Sequence, residues 1–206
     1  MKIIQQGAEA VISLDKGKII KDRTKKSYRL PILDQKLRKQ RTKKEFRILE
    51  KASKLIPVPK LIKTDNKEKI EMQFLKGLKL SEHLDSLSNS IEICNLIGNN
   101  IAILHDNSII HGDLTTSNMI YVNDNNDFSS FKVYFIDFGL SYESQKTEDK
   151  AVDLHLIKQA LEAKHFNNYE KFWHSILEGY KSSKNYKETL KRLEAVEKRG
   201  RYKQQF

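Results

Sequence analysis

Ile110-His111-Gly112-Asp113-Leu114-Thr115-Thr116-Ser117-Asn118 sets an Asp and an Asn five positions apart, and nineteen residues beyond Asn118 stands Asp137 in Ile136-Asp137-Phe138-Gly139. A strong helical period runs before the first stretch, through Ile91, Leu96, Ile97, Ile101 and Leu104, so His111 falls in the loop that follows a long helix. Short apolar strands are predicted at 119–122 and 132–136, the second delivering Asp137 at its end. Each residue alone is an ordinary turn former or strand-end cap. Their order, their spacing and the apolar strand ahead of Asp137 make the set specific.

Asp-x-x-x-x-Asn followed by Asp-Phe-Gly matches the catalytic loop and the metal motif of the protein-kinase fold. Phosphoryl transfer needs hard oxygen ligands for Mg²⁺ on the ATP phosphates, the part assigned to Asn118 and Asp137, and an acceptor beside the attacking oxygen, assigned to Asp113. Both acids must stay ionised. An upstream lysine and a helix glutamate must hold the phosphates. Lys21, ending the third strand after Ile19-Ile20, is chosen over Lys18, and Glu45, flanked by Phe46 and Leu49, is its partner, with Glu50 facing elsewhere. Gly7, Ala8 and Glu9 lie between the first two strands as a thin phosphate-covering loop with one glycine. Adenine is assigned to main chain at Met72, Gln73, Phe74 and Leu75, by position only. His111 is read as packing and hydrogen-bonding to hold the catalytic loop.

Outward from these motifs the chain reads as α+β in two lobes. Strands at 3–4, 10–14, 19–20, 60–63 and 69–75 make a five-stranded antiparallel sheet, packed by a stretch that Pro31 opens and Pro57 and Pro59 close. That stretch is expected as two helices with Leu33, Leu37, Phe46, Leu49, Ala52 and Leu55 inward. Ser81 is an N-cap candidate where the chain turns helical. Further helices at 149–163, 169–180 and 186–196 complete a small second lobe. The division is 1–77, 78–196 and a basic tail 197–206. Only 140–147 separates Asp-Phe-Gly from the next helix, so an activation segment has no room, and Gly112 stands where ordinary kinases carry Arg. Asp153 is either a brace for the catalytic loop or an acid favoured by the helix dipole.

The 38 Lys and Arg exceed 27 Asp and Glu by 11 over 206 residues, and the excess is concentrated. Residues 16–54 hold 16 Lys and Arg against four acids, and 181–206 hold nine against three. The run Lys36, Arg38, Lys39, Arg41, Lys43, Lys44 suits either a polyanion such as tRNA, through counterion release, or a solvated helix face. One cysteine, Cys94, excludes a disulfide framework within the chain and reads as a core residue of a cytoplasmic protein. The least charged window, 93–105, carries three Asn and falls short of the ~20 apolar residues of a membrane span, and no signal peptide is expected.

Gln-Gly-Ala-Glu-Ala at 6–10, Tyr28-Arg29, Arg41-Thr42 with Glu45, the two catalytic stretches, 148–154 and Arg199-Gly200-Arg201 together resemble the small atypical kinase/ATPase family of the KEOPS complex. The resemblance spans nearly the whole chain, although Gln73-Phe74 replaces acids common in the family. It implies ATP and Mg²⁺, serine/threonine phosphorylation including autophosphorylation, and an ATPase role in forming threonylcarbamoyladenosine on tRNA. The implied partners are a threonylcarbamoyl-transferase subunit and a small subunit at the first lobe. Arg199, Gly200 and Arg201 suit phosphate oxygens or an acidic partner cleft. A basic tRNA-binding scaffold and a small-molecule phosphotransferase stand as the alternatives.

Overall fold

The computed structural model describes residues 1–123 and 131–202. Strands β1 (Lys2–Gln6), β2 (Ala10–Asp15) and β3 (Lys18–Arg23), helix α1 (Pro31–Ala52), then β4 (Leu61–Thr64) and β5 (Lys69–Gln73) form the first lobe. The five strands are antiparallel in the order β1-β2-β3-β5-β4. Lys16 and Gly17 turn β2 into β3 with positive φ at both positions, the backbone twist a two-residue hairpin needs. In β3, Lys21 is opposite Ile12 on one side and Ile70 on the other. Period-2 alternation therefore sets Ile19, Lys21 and Arg23 on one face of the sheet.

The segment expected as two helices is one helix of 22 residues, with Pro31 in its first turn. No Gly or Pro interrupts 32–52, so nothing in the sequence stops propagation. Its inward stripe also differs from the expected apolar one. Asp34, Thr42, Glu45, Ile48, Leu49 and Ala52 are buried, while Leu33 is exposed. Ion pairing displaces the apolar residues there: Asp34 takes the guanidinium of Arg38 at 2.8 Å and the backbone N–H of Lys26 at 3.2 Å.

The second lobe follows as β6 (Leu78–Lys79), α2 (Leu80–His83), α3 (Ser90–Asp106), β7 (Ile109–Ile110), β8 (Met119–Asn123), β9 (Phe131–Phe135), β10 (Tyr142–Glu143), α4 (Thr147–Lys164), α5 (Tyr169–Tyr180) and α6 (Tyr186–Tyr202). Ser81 lies inside α2 rather than capping it; Lys79 precedes the helix. α6 continues past 196, so residues 197–202 are helical. Two glycines let α3 and α5 meet backbone to backbone. A Cβ on Gly98 would stand 1.9 Å from the Ile176 carbonyl oxygen, and one on Gly179 1.9 Å from that of Asn95. Ile97, Ile101, Leu104, Phe135, Phe138, Leu154, Ile157, Phe172, Ile176 and Tyr180 form the core between the helices and the catalytic loop. Cys94 belongs to it, and burial pushes its thiol up to about 12, so it packs as a small hydrophobe. No described helix is long and apolar enough to cross a membrane.

Candidate active site

The lobes enclose a cleft of about 450 Å³. Ile4, Ile12, Ile19, Met72, Ile120 and Ile136 make its apolar walls, and Lys21, Glu45, Asn118 and Asp137 converge at its polar end. Such a slot, apolar on both sides with charge at one end, fits a flat heterocycle carrying an anionic tail.

Lys21 is buried in β3, and its ammonium donates to Glu45 Oε1 at 2.6 Å and to Asp137 Oδ1 at 2.7 Å. Burial opposes its charge, but the two carboxylates more than offset this and raise the lysine above its ordinary value. Lys18 is exposed, 3.9 Å from Glu71, and takes no part. Glu50 is exposed as well. Sequence reasoning missed Arg23. Its guanidinium donates to Glu45 Oε2 at 2.5 Å, so a buried glutamate bridges two buried cations. The available signal was period 2, which carries Arg23 to the same face as Lys21.

Asp137 has φ 61° and ψ 69°, a left-handed backbone that aims its carboxylate back toward the cleft, where it accepts from Gly139 N–H at 3.2 Å. Burial works to raise its pKa, and the Lys21 ammonium outweighs that, holding the group below the usual carboxylate range. A Cβ at Gly139 would press on Asp137 Oδ1 at 3.0 Å and Lys21 Nζ at 3.2 Å, which explains the glycine.

Asn118 closes the catalytic loop on itself. Its amide nitrogen donates to the backbone carbonyl of Asp113 and to Asp113 Oδ2, both at 2.9 Å, which leaves its oxygen as the atom available to the cleft. From below, Asp153 accepts from the backbone N–H of His111 at 2.8 Å and of Gly112 at 2.9 Å, and its ring partner is His105 at 3.2 Å. Of the two readings left open for Asp153, the loop brace is the one realised. His111 is buried, set 3.2 Å from the Ile136 carbonyl and packed on Phe138, and burial lowers its pKa so that it is a neutral strut. Gly112 replaces an arginine for a steric reason: φ is 77°, and a Cβ would lie 2.7 Å from the Leu140 carbonyl oxygen.

Met72, Gln73, Phe74 and Leu75 line the cleft at the crossing between lobes, while Gly7, Ala8 and Glu9 are outside its lining. That loop is stitched to α1 and its approach. Lys26 Nζ donates to the Ala8 carbonyl, and the Glu9 carboxylate pairs with Arg41 and, at 3.9 Å, with Arg29. Burial pulls Glu9 up, and Arg41 brings it below its ordinary value. Within the basic run, Arg38 pairs with Asp34 and Glu68 and Arg41 with Glu9, so Lys36, Lys39, Lys43 and Lys44 are the cations facing solvent. Arg199 is held with Arg192 on Glu148; the side chain of Arg201 lies outside what the structure describes.

The donor set suits Mg²⁺. Asp137 is half exposed, the Asn118 oxygen is hard and neutral, and among the described residues no three His, Cys, Asp or Glu side chains converge into a cage. A cation here would complete its shell from phosphate and water, as Mg²⁺ prefers.

This fold and site define a kinase-fold protein of the atypical class, with the Lys–Glu pair in place and no activation segment among the described residues. Residues 2–159 match the RIO domain, and the chain belongs to the RIO-domain family and, within it, to the Bud32 family. It is 39% identical to the KEOPS complex subunit Bud32 of Pyrococcus abyssi, over 99% of this chain and 97% of that one. The EKC/KEOPS complex subunit BUD32 of Encephalitozoon cuniculi is 42% identical over 95% of this chain and 93% of its own. A probable bifunctional tRNA threonylcarbamoyladenosine biosynthesis protein of Methanocaldococcus jannaschii is 40% identical over 97% of this chain, which spans 37% of that longer protein. Among solved structures, the ADP/Mg²⁺-phosphoaspartate complex of Rio2 kinase from Chaetomium thermophilum superposes with a TM-score of 0.63 at 19% identity, covering 98% of this chain and 72% of that one.

Proposed function

We propose that this protein binds Mg·ATP in the cleft and transfers its terminal phosphoryl group to water or to a Ser/Thr hydroxyl, in the cytoplasm, within a KEOPS complex that makes threonylcarbamoyladenosine on tRNA. The observation carrying this is the Lys21 bridge between Glu45 and Asp137, with Asn118 lining the same end of an apolar cleft and hydrogen-bonded to Asp113.

Each residue has a physical task. The main chain of residues 72–75 reads the adenine edge. Lys21, kept charged by Glu45, holds phosphate oxygens once a nucleotide enters, and the loop at Gly7, Ala8 and Glu9 covers them through the N–H groups of Ala8 and Glu9, that of Gly7 donating to the Ala10 carbonyl at 3.0 Å. Asn118 and Asp137 hold Mg²⁺, which supplies neutralisation of phosphate charge when bound. Asp113 accepts a hydrogen bond from the attacking hydroxyl or water and orients it.

The partner assignments have separate supports. Met1, Ile3, Tyr28, Leu30 and Ile32 are all at least 60% exposed on the first lobe, apolar surface that suits the small subunit. A relative named as bifunctional contains a segment like this chain inside a longer protein, which supports a transferase acting beside it. The exposed lysines Lys36, Lys39, Lys43 and Lys44 of α1 suit tRNA phosphates, Lys44 from a place over the Tyr142 ring, and Arg199-Gly200-Arg201 suits an acidic partner or tRNA.

The test is phosphate release from ATP by the purified chain, alone and with the transferase subunit and tRNA. Stimulated release that Asp113→Ala abolishes while nucleotide binding persists is the expected result. No turnover in any combination, with ATP still bound, would replace the enzyme by a scaffold. A Ser/Thr peptide panel separates kinase from ATPase, and tRNA affinity that falls steeply with salt supports the lysine face.

A further inference from the structure

Asp85, His165 and Thr116 form a chain of contacts beneath the catalytic loop, buried at His165 and Thr116 and half-exposed at Asp85. His165, just past the end of α4, sets Nδ1 2.5 Å from Asp85 Oδ2 and Nε2 3.0 Å from Thr116 Oγ1. Asn168 Nδ2 donates to the other Asp85 oxygen at 2.9 Å, and Phe172 stands edge-on to the imidazole with ring centroids 5.9 Å apart. Acid, imidazole and hydroxyl in this order are the parts of a hydrolytic triad. That role is closed to them, because Thr116 and the His165 side chain have no exposed surface for a substrate to reach.

The chain of contacts ends in the loop that carries the chemistry. Thr116 is three residues after Asp113 and opens the 3-10 turn Thr116–Asn118. It does not line the cleft, whereas its neighbours Ser117 and Asn118 do. Nδ1 faces the Asp85 carboxylate and Nε2 shares a hydrogen bond with the Thr116 hydroxyl, which is turned away from the cleft. The loop is thereby held at two points, by Asp153 ahead of Asp113 and by His165 ahead of Asn118.

We propose that His165, oriented by Asp85, is a positioning residue that fixes Thr116 and so presents the Asn118 oxygen for metal binding. This rests on reading Asn118 as a Mg²⁺ ligand. The test compares Thr116→Val, which keeps the shape and removes the hydroxyl, with Thr116→Ser, which restores it. Half-saturating Mg²⁺ for ATP turnover should rise about tenfold in Thr116→Val, the scale of a lost support to a metal ligand, with Mg²⁺-free nucleotide binding unchanged, and return to within about twofold in Thr116→Ser. Asp85→Asn, altered at the half-exposed end of the chain, should shift the same way by less. Equal Mg²⁺ dependence in Thr116→Val and wild type would overturn the proposal. If the wild type turns over no ATP, the enzyme reading fails, and amide hydrogen exchange over 113–118 decides the positioning separately. Faster exchange in Thr116→Val, reversed in Thr116→Ser, supports it, and unchanged exchange removes it.

Discussion

Glu45 is the keystone of the charge cluster, and replacing it by Gln tests whether that cluster acts as a unit. The buried carboxylate accepts from Lys21 at 2.6 Å and Arg23 at 2.5 Å. Gln leaves both cations in place and removes the charge between them. Lys21 keeps Asp137 at 2.7 Å, whereas Arg23 has no other ion pair among the described residues. Unit charges ~4 Å apart at an effective dielectric of ~20 attract by about 4 kcal/mol. Breaking a buried pair from one side costs about 3–5 kcal/mol, mostly because the survivor is stranded. The stranded survivor is Arg23, so Arg23→Met in the Glu45→Gln background should recover part of the loss, giving a coupling energy of about 2–3 kcal/mol in a double-mutant cycle. For a chain of this size each 1 kcal/mol moves the melting temperature by about 2–4 °C. The assay is denaturant unfolding of wild type, both single variants and the double. Additive losses would refute the argument, since they would mean that Arg23 is already solvated and does not depend on Glu45.

Asp153→Asn should lower kcat by about a hundredfold with nucleotide affinity kept, because the amide replaces a charged acceptor of two loop N–H groups, each bond worth about 1.5–3 kcal/mol, while the cleft itself is untouched; steady-state kinetics beside nucleotide binding checks the split. Gly112→Ala should destabilise the fold by about 2 kcal/mol or more and cut turnover, since a left-handed backbone and a Cβ 2.7 Å from the Leu140 oxygen combine, and thermal unfolding reads it directly. The pH profile of stability has two limbs with opposite signs. Lys21, raised above 10.5 in the folded state, contributes fully below that value and loses its contribution as pH climbs past its folded pKa; Asp137, lowered below 3.8, contributes above that value and loses it as pH falls through its folded pKa. Lys21→Met should therefore flatten the alkaline limb relative to wild type in a melting series. Glu148→Ala frees Arg192 and Arg199, and limited proteolysis at Lys198 and Arg199 should accelerate while the overall melting temperature stays within about 2 °C, as for exposed ion pairs generally.

Which parts of this molecule are legible in its residue order follows from the range of the forces involved. The Asp113–Asn118 spacing and Asp137 before Phe138-Gly139 sit inside short local segments, so the residues that meet there are named by their order alone. The strands and the Lys16-Gly17 hairpin are likewise readable, because period 2 and positive φ are properties of a few adjacent residues. Lys21 at a strand end and Glu45 between Phe46 and Leu49 are expected to pair from their positions, and β3 and α1 bring them to 2.6 Å. What the residue order left open needed contacts made across the chain. The inward stripe of α1 is polar at its start because Arg38 and the Lys26 backbone claim Asp34, which outweighs the apolar periodicity of Leu33 and Leu37. Arg23 reaches Glu45 across 22 residues, Asp153 reaches the N–H groups of His111 and Gly112 across 42 and 41, and His165 reaches Thr116 across 49. Those partners are chosen by desolvation: a charge or hydroxyl carried into the core must find its complement there, and which complement is at hand is decided only when the sheet and the helices pack.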